Sequence, residues 1–222
     1  LISCQALCAK PIQVIILSGQ SNADGRASSK ELASEVQKPL NNIFLYHGNA
    51  SGNSHASCPP NTLMTLRPGS ASLYKGKNQF GPEVGLGQAL ARLYPQQEFC
   101  IIKYATGGSS LYREWDLNKG PHLHRLRKTV KKALNALQEK GYEPQIKAFI
   151  WHQGESDCNK HNAPQYEKTL SLFLKQMRHD FSMTMHIAIG ELSSAQKLDK
   201  ESFEKVITAQ KRVSESSDKF HL

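Results

Sequence analysis

A chain of 222 residues is long enough for one domain with a substantial core. It is 39% hydrophobic and 21% charged, and no apolar run approaches the roughly 20 residues of a membrane-spanning helix, so no such segment is expected. The 28 Lys and Arg against 19 Asp and Glu leave a net charge of +9, but no aromatic-studded basic motif or zinc-knuckle spacing accompanies it, and no nucleic-acid partner is expected.

The first nine residues, Leu1 to Ala9, read as the tail of a secretory signal, apolar and small ahead of Lys10. Leu1-Ile2-Ser3-Cys4 also loosely fits a lipoprotein box. The expected organisation is therefore a signal remnant over 1–9, a single domain over 10–222, and an exported, periplasmic or extracellular location. Cysteine count adds little. Cys4, Cys8, Cys58, Cys100 and Cys158 include no CxxC pair, so no zinc site is implied, and no other metal or cofactor is expected. Cys100 reads as a small core residue. Cys58 and Cys158 fall in loops, where pairing depends on the compartment and is left open by the sequence.

Ile12 and Val14 to Leu17 form a β-branched apolar run after Pro11, the pattern of a strand buried on both faces. Gly19-Gln20-Ser21-Asn22 follows at its carboxyl end, where open α/β sheets bind ligands. A serine on such a turn can present an accessible Oγ beside a backbone N–H, the two features a serine nucleophile needs. The same tetrapeptide would also serve as a polar turn and helix cap.

Ala27 to Gln37 reads as a weak helix and Asn42 to His47 as a second strand. Residues 48–79 are rich in Gly, Asn, Ser and Pro without periodicity, a long loop of the kind that walls a cleft. A helix starts around Pro82 and Glu83, with proline in the first turn and a carboxylate at the positive end. Gly81, Gly85 and Gly87 lack dinucleotide-binding spacing and follow no strand.

Phe99 to Ala105 is a clear strand ending in Thr106-Gly107-Gly108-Ser109-Ser110-Leu111, where paired glycines let backbone approach a ligand closely. Residues 121–140 form an amphipathic helix with Leu123, Leu126, Val130, Leu134 and Leu137 on one face. Arg125, Arg127, Lys128, Lys131 and Lys132 lie opposite, a solvated face. Gly141 closes it. Ile146 to Trp151 is the next strand and delivers His152-Gln153-Gly154-Glu155-Ser156-Asp157 to the same sheet edge. A helix over 164–180, a strand over 185–190, a helix over 201–213 and a starting strand at Phe220-His221-Leu222 complete the chain. Strands alternating with helices predict an α/β fold, a three-layer α/β/α sandwich on a mainly parallel sheet.

The two polar blocks, Gly19-Gln20-Ser21-Asn22 and His152-Gln153-Gly154-Glu155, resemble the GQSN and HQGE blocks of one branch of the SGNH hydrolase superfamily. That branch holds carbohydrate esterase family 6 and the sialate O-acetylesterase-like proteins with their plant relatives, and the likeness runs from about Pro11 to Val213. The resemblance implies a flavodoxin-like hydrolase fold and a serine esterase. Its substrate would be an O-acetylated carbohydrate, acetylated xylan or sialic acid, cleaved through an acyl-enzyme without metal or cofactor.

Ser21 is then the nucleophile. Its own N–H, that of Gly107 or Gly108, and the Gln153 amide would form the oxyanion hole. Glu155 would orient the catalytic histidine. Asp157 is either a supporting acid or a helix cap, with capping favoured. Trp115 is either a sugar platform or core, with core favoured. His152 matches an aromatic or histidine slot rather than the base.

The family places its base in a D-x-x-H block near the C-terminus, and Asp218-Lys219-Phe220-His221 fits those letters. By context, however, Phe220-His221-Leu222 falls on the strand that precedes the block. His221 is therefore expected in the sheet, with the domain stopping short of its base. His47, His55, His122, His124, His161, His179 and His186 match no family block and read as surface or structural. The contrasting reading is a non-catalytic carbohydrate-binding module on an esterase scaffold.

Overall fold

A computed structural model describes residues 9–48, 58–70, 79–194 and 197–222. The signal and lipoprotein readings at residues 1–8, with Cys4 and Cys8, lie outside the described residues. So do His55 and most of the 48–79 loop.

In chain order the elements are β1 (Lys10–Gly19), α1 (Ser21–Asp24), β2 (Ala27–Ser28), β3 (Leu40–His47), β4 (Met64–Leu66), β5 (Gln79–Phe80) and α2 (Pro82–Leu93). They continue with β6 (Phe99–Ala105), α3 (Pro121–Glu139), β7 (Tyr142–His152), α4 (Tyr166–Phe181), β8 (His186–Ile189), α5 (Lys200–Glu215) and β9 (Phe220–His221). Seven strands form one sheet in the order β4-β3-β6-β1-β7-β8-β9. All neighbours run parallel except β4, which lies antiparallel on β3 at one edge.

β1 is central because its side chains are apolar on both faces. Ile12, Val14 and Ile16 enter one buried cluster, with residues of α3, α4 and α5. Ile15 and Leu17 enter the other, with Ile43, Leu45, Ile101 and the α2 residues Leu86 and Leu90. Each such side chain contributes about 2 kcal/mol of burial, which explains why the run tolerates no alternation. The α/β/α sandwich expected from the sequence is the fold found. Among the described residues no helix is long and apolar enough to cross a membrane.

Three expectations are corrected. Residues 27–37 do not form a helix. Ala27 and Ser28 pair antiparallel with Phe80 and Gln79, and a three-residue 3-10 turn, Ser29–Glu31, follows. The segment carries no apolar stripe, and the Ser28 hydroxyl accepts from Lys30 N–H at 3.4 Å, a local bond that competes with helix. Second, Met64–Leu66 within the supposed loop is an edge strand. Third, Cys58 and Cys158 cannot pair, because they lie in the two clusters on opposite faces of the sheet, and no disulfide joins any two of Cys58, Cys100 and Cys158.

Candidate active site

Three polar segments leave the carboxyl ends of three adjacent strands, β6, β1 and β7, and meet above the sheet. The middle one carries Ser21. Gly19 sits opposite His152 in the parallel register, and a side chain on it would come within 2.0 Å of the His152 carbonyl oxygen. Only glycine permits that approach, and its φ of +143° also disfavours any other residue. The Gln20 N–H then donates to the same His152 carbonyl at 3.0 Å, and the chain turns into α1. Ser21 is the first residue of that turn and is partly exposed. The turn closes through Asp24 N–H to Gln20 O and Gly25 N–H to Ser21 O, both 2.8 Å. The first N–H groups of a helical turn have no partner within it, which leaves that of Ser21 outside the turn's own bonding.

The glycine block after β6 faces this serine. A Cβ placed on Gly107 would lie 3.6 Å from Ser21 Cβ and 2.6 Å from Arg26 Nη2. Gly108 adopts φ +73°, the left-handed conformation that turns the backbone there. Of the two glycines, Gly107 is the one set against the serine.

The block after β7 closes the other side. Asn22 donates from Nδ2 to Glu155 Oε1 at 2.5 Å, so the carboxylate grips the residue next to the serine. His152 lines an open cleft of about 660 Å³ with Asn22, Arg26, Phe80 and Glu191. Burial lowers its pKa, and the nearby Glu155 charge opposes that shift. The net effect favours the neutral ring.

Gln153 occupies a different place from the one expected. It is fully buried, and its Nε2 faces Asp157 Oδ2 at 2.6 Å, Ser109 O at 3.1 Å and Gln20 Oε1 at 3.3 Å. Its Oε1 accepts from the Tyr166 hydroxyl at 3.2 Å. With its two N–H groups engaged by protein acceptors, the amide ties the three blocks together instead of pointing at Ser21.

Asp157 caps no helix. It is 1% exposed and accepts from Ser110 Oγ (2.5 Å), Leu111 N–H (2.7 Å), Gln153 Nε2 and Asn162 Nδ2 (3.0 Å). A buried carboxylate with four donors is a joint between segments. Trp115 is core: it is fully buried, and its indole N–H donates to Ser109 Oγ at 2.7 Å.

Asp218 and His221 do not reach the site. His221 lies on β9, paired with Ala188 of β8, and its Nε2 is 2.9 Å from His186 Nδ1 with the rings stacked. β7 and β8 stand between β9 and β1, a lateral separation of about 14 Å at ordinary strand spacing. Among the described residues, no side chain hydrogen-bonds Ser21 Oγ.

Sequence reasoning missed Arg26 and the Lys103–Glu83 pair. Arg26 lines the cleft and binds the Asp24 carboxylate and, from Nη1, the Gly25 carbonyl at 2.7 Å. The signal for it was its place four residues after the GQSN block. Lys103 interrupts an apolar strand and was read only as part of it.

A serine at the carboxyl end of the central strand, faced by a glycine block and an HQGE block, is the arrangement that the resemblance to the carbohydrate esterase branch implies. The chain belongs to the family described as carbohydrate esterase, sialic acid-specific acetylesterase, whose model matches residues 11–220. It is 29% identical over 191 residues to the probable carbohydrate esterase At4g34215 of Arabidopsis thaliana, a match covering 78% of this chain and 65% of that relative. The crystal structure of that Arabidopsis protein superposes with a TM-score of 0.71 at 22% identity, covering 96% of this chain and 84% of the other. NanS superposes with a TM-score of 0.72 at 14% identity, covering 96% and 77%. XAC1771, a carbohydrate acetylesterase from Xanthomonas citri, gives 0.59 at 14% identity, covering 90% and 47%.

Proposed function

We propose that the protein is a serine esterase that removes O-acetyl groups from carbohydrate, with O-acetylated sialic acid or acetylated xylan as substrate. One observation carries the reading: Ser21 opens the turn after the central strand, with Gly107 against it and Glu155 fixed to its neighbour Asn22. Ser21 Oγ attacks the acetyl carbonyl, and its proton passes through an imidazole base to the departing sugar hydroxyl. Water then attacks the acetyl-serine, releasing acetate and restoring the hydroxyl. The N–H groups of Ser21 and Gly107 stabilise the oxyanion, each donor worth about 3 kcal/mol in the transition state. Glu155 supplies the carboxylate that orients the base. The base itself is assigned to no described residue, since His221 stands with His186 and His152 packs its ring on Gly190. The exported location read from residues 1–9 belongs to the same proposal.

That placement of His221 favours a second reading, a carbohydrate-binding module on an esterase scaffold. Acetate release by the full-length protein from O-acetylated sialic acid and from acetylated xylan separates the two. Turnover that falls at least about a thousandfold in Ser21→Ala supports the esterase. Sugar binding without any acetate release supports the module.

A further inference from the structure

Lys103 stands in the middle of β6, an otherwise apolar strand, and is fully buried. An ammonium carries three N–H donors, and here each has an acceptor: Asp24 O at 2.6 Å, Glu83 Oε2 at 2.8 Å and Ser70 Oγ at 3.1 Å. Glu83, also fully buried, takes the Ser70 hydroxyl (2.6 Å) and the Gly81 N–H (2.9 Å) on its other oxygen.

Stability alone does not call for this arrangement. A buried ion pair is often no better for the fold than apolar side chains of equal volume. What distinguishes it is the third acceptor. Asp24 is the last residue of α1, the four-residue turn that begins at Ser21. Its carboxylate is buried and paired with Arg26, while its carbonyl accepts from Lys103. So short a turn has little intrinsic persistence, and a cation at its carbonyl end is the favourable charge for a helix C-terminus. His47 lies across β3 in register with Lys103 and hydrogen-bonds the Cys58 carbonyl at 2.7 Å, leaving the ammonium to the other three groups.

We propose that Lys103, held in place by Glu83, is a positioning residue for the nucleophile: it anchors the carbonyl end of α1 and so sets Ser21 beside Gly107. The inference rests on the reading of Ser21 as the nucleophile.

The test compares the full-length protein with Lys103→Met/Glu83→Gln, which removes both charges together and avoids stranding either one. On 4-nitrophenyl acetate the double variant should lose about a hundredfold in kcat with KM little changed, the size of effect expected from a displaced reacting atom. Its Asp24 and Gly25 amide hydrogens should exchange at least about tenfold faster than in the wild type, while the β1 amides stay protected. Ser70→Ala keeps the bond to Asp24 and should retain kcat within about twofold. A folded double variant with wild-type kcat and unchanged exchange overturns the proposal. So does a Ser70→Ala loss as large as that of the double variant. If the double variant does not fold, the wild-type protein decides alone: protected Asp24 and Gly25 amides support the anchor, and free exchange refutes it. Ser21→Ala in the same assay separates the two claims. Full activity there removes the nucleophile assignment, while the exchange data still judge the anchor.

Discussion

Two buried polar networks flank the turn that begins at Ser21, and they are built on different principles. On the β6 side, Lys103 and Glu83 form a fully buried ion pair that reaches Ser21 through the Asp24 carbonyl. On the β7 side, a single carboxylate, Asp157, collects four neutral donors from the segments around 110, 153 and 162. The first couples a helix carbonyl to a charge, and the second ties loop to loop. The contrast teaches where rigidity comes from when three loops must meet in register. A charge–dipole contact fixes one short turn, whereas a carboxylate with many donors fixes the relative places of whole segments.

The largest expected effect breaks the second network. Asp157→Ala strands the buried Ser110 hydroxyl and Leu111 N–H, takes one acceptor each from Gln153 and Asn162, and should cost about 4 kcal/mol, a fall of about 12 °C in Tm for a domain of this size. Thermal unfolding followed by circular dichroism measures it, and a fall of only one or two degrees would mean that Asp157 is not a joint. Lys103→Met alone strands a buried Glu83 carboxylate and should cost about 3 kcal/mol. Restoring most of that loss by adding Glu83→Gln, read from denaturant midpoints, sharpens the distinction between the networks.

Gly107→Ala leaves the bonds of both networks in place, and its added methyl first meets the far end of the Arg26 side chain at 2.6 Å, then Ser21 Cβ at 3.6 Å. It should keep the fold and lower kcat about tenfold by crowding the oxyanion donor. Unaltered kcat would remove Gly107 from the oxyanion hole.

The smallest effect concerns pH. Burial lowers the pKa of His47, of His122 and of His152 below the ordinary histidine value of 6.5. Both folded and unfolded chains hold these groups neutral above that value. As pH falls below about 6.5 the unfolded chain takes up protons first, so stability declines until the lowered folded values are reached. Urea midpoints at pH 7.5 and 5.5 should show the decline, and His47→Gln should flatten part of it. A stability that rises as pH falls through this window contradicts the sign.

The sheet was legible because its strands carry their own signal. β1, β3, β6, β7 and β8 are apolar runs at the expected places, and α3, α4 and α5 show their stripes. The Ser21 and glycine blocks were legible as turns at strand ends. What escaped has a physical reason. The β2–β5 ribbon is a two-residue pairing between distant segments, and nothing local at Ala27 or Ser28 announces it. Glu83 looks from sequence like a carboxylate placed for a helix N-terminus, and only the packing of α2 on β6 reveals Lys103 as its partner. Asp157 and Gln153 were read from block letters as a cap and a donor. Gln153 meets Gln20, 133 residues away, and Asp157 meets Ser110, 47 residues away, separations that no local pattern encodes. His221 was placed on its strand by the order of elements around it, an inference from context that the β8–β9 register matches.

The most direct measurement is mass spectrometry of the full-length protein quenched during turnover of O-acetylated sialic acid. An acetyl group on the peptide containing Ser21, absent in Ser21→Ala, is the result predicted. Sustained acetate release with no acetylated Ser21 peptide, or at an undiminished rate in Ser21→Ala, would contradict it.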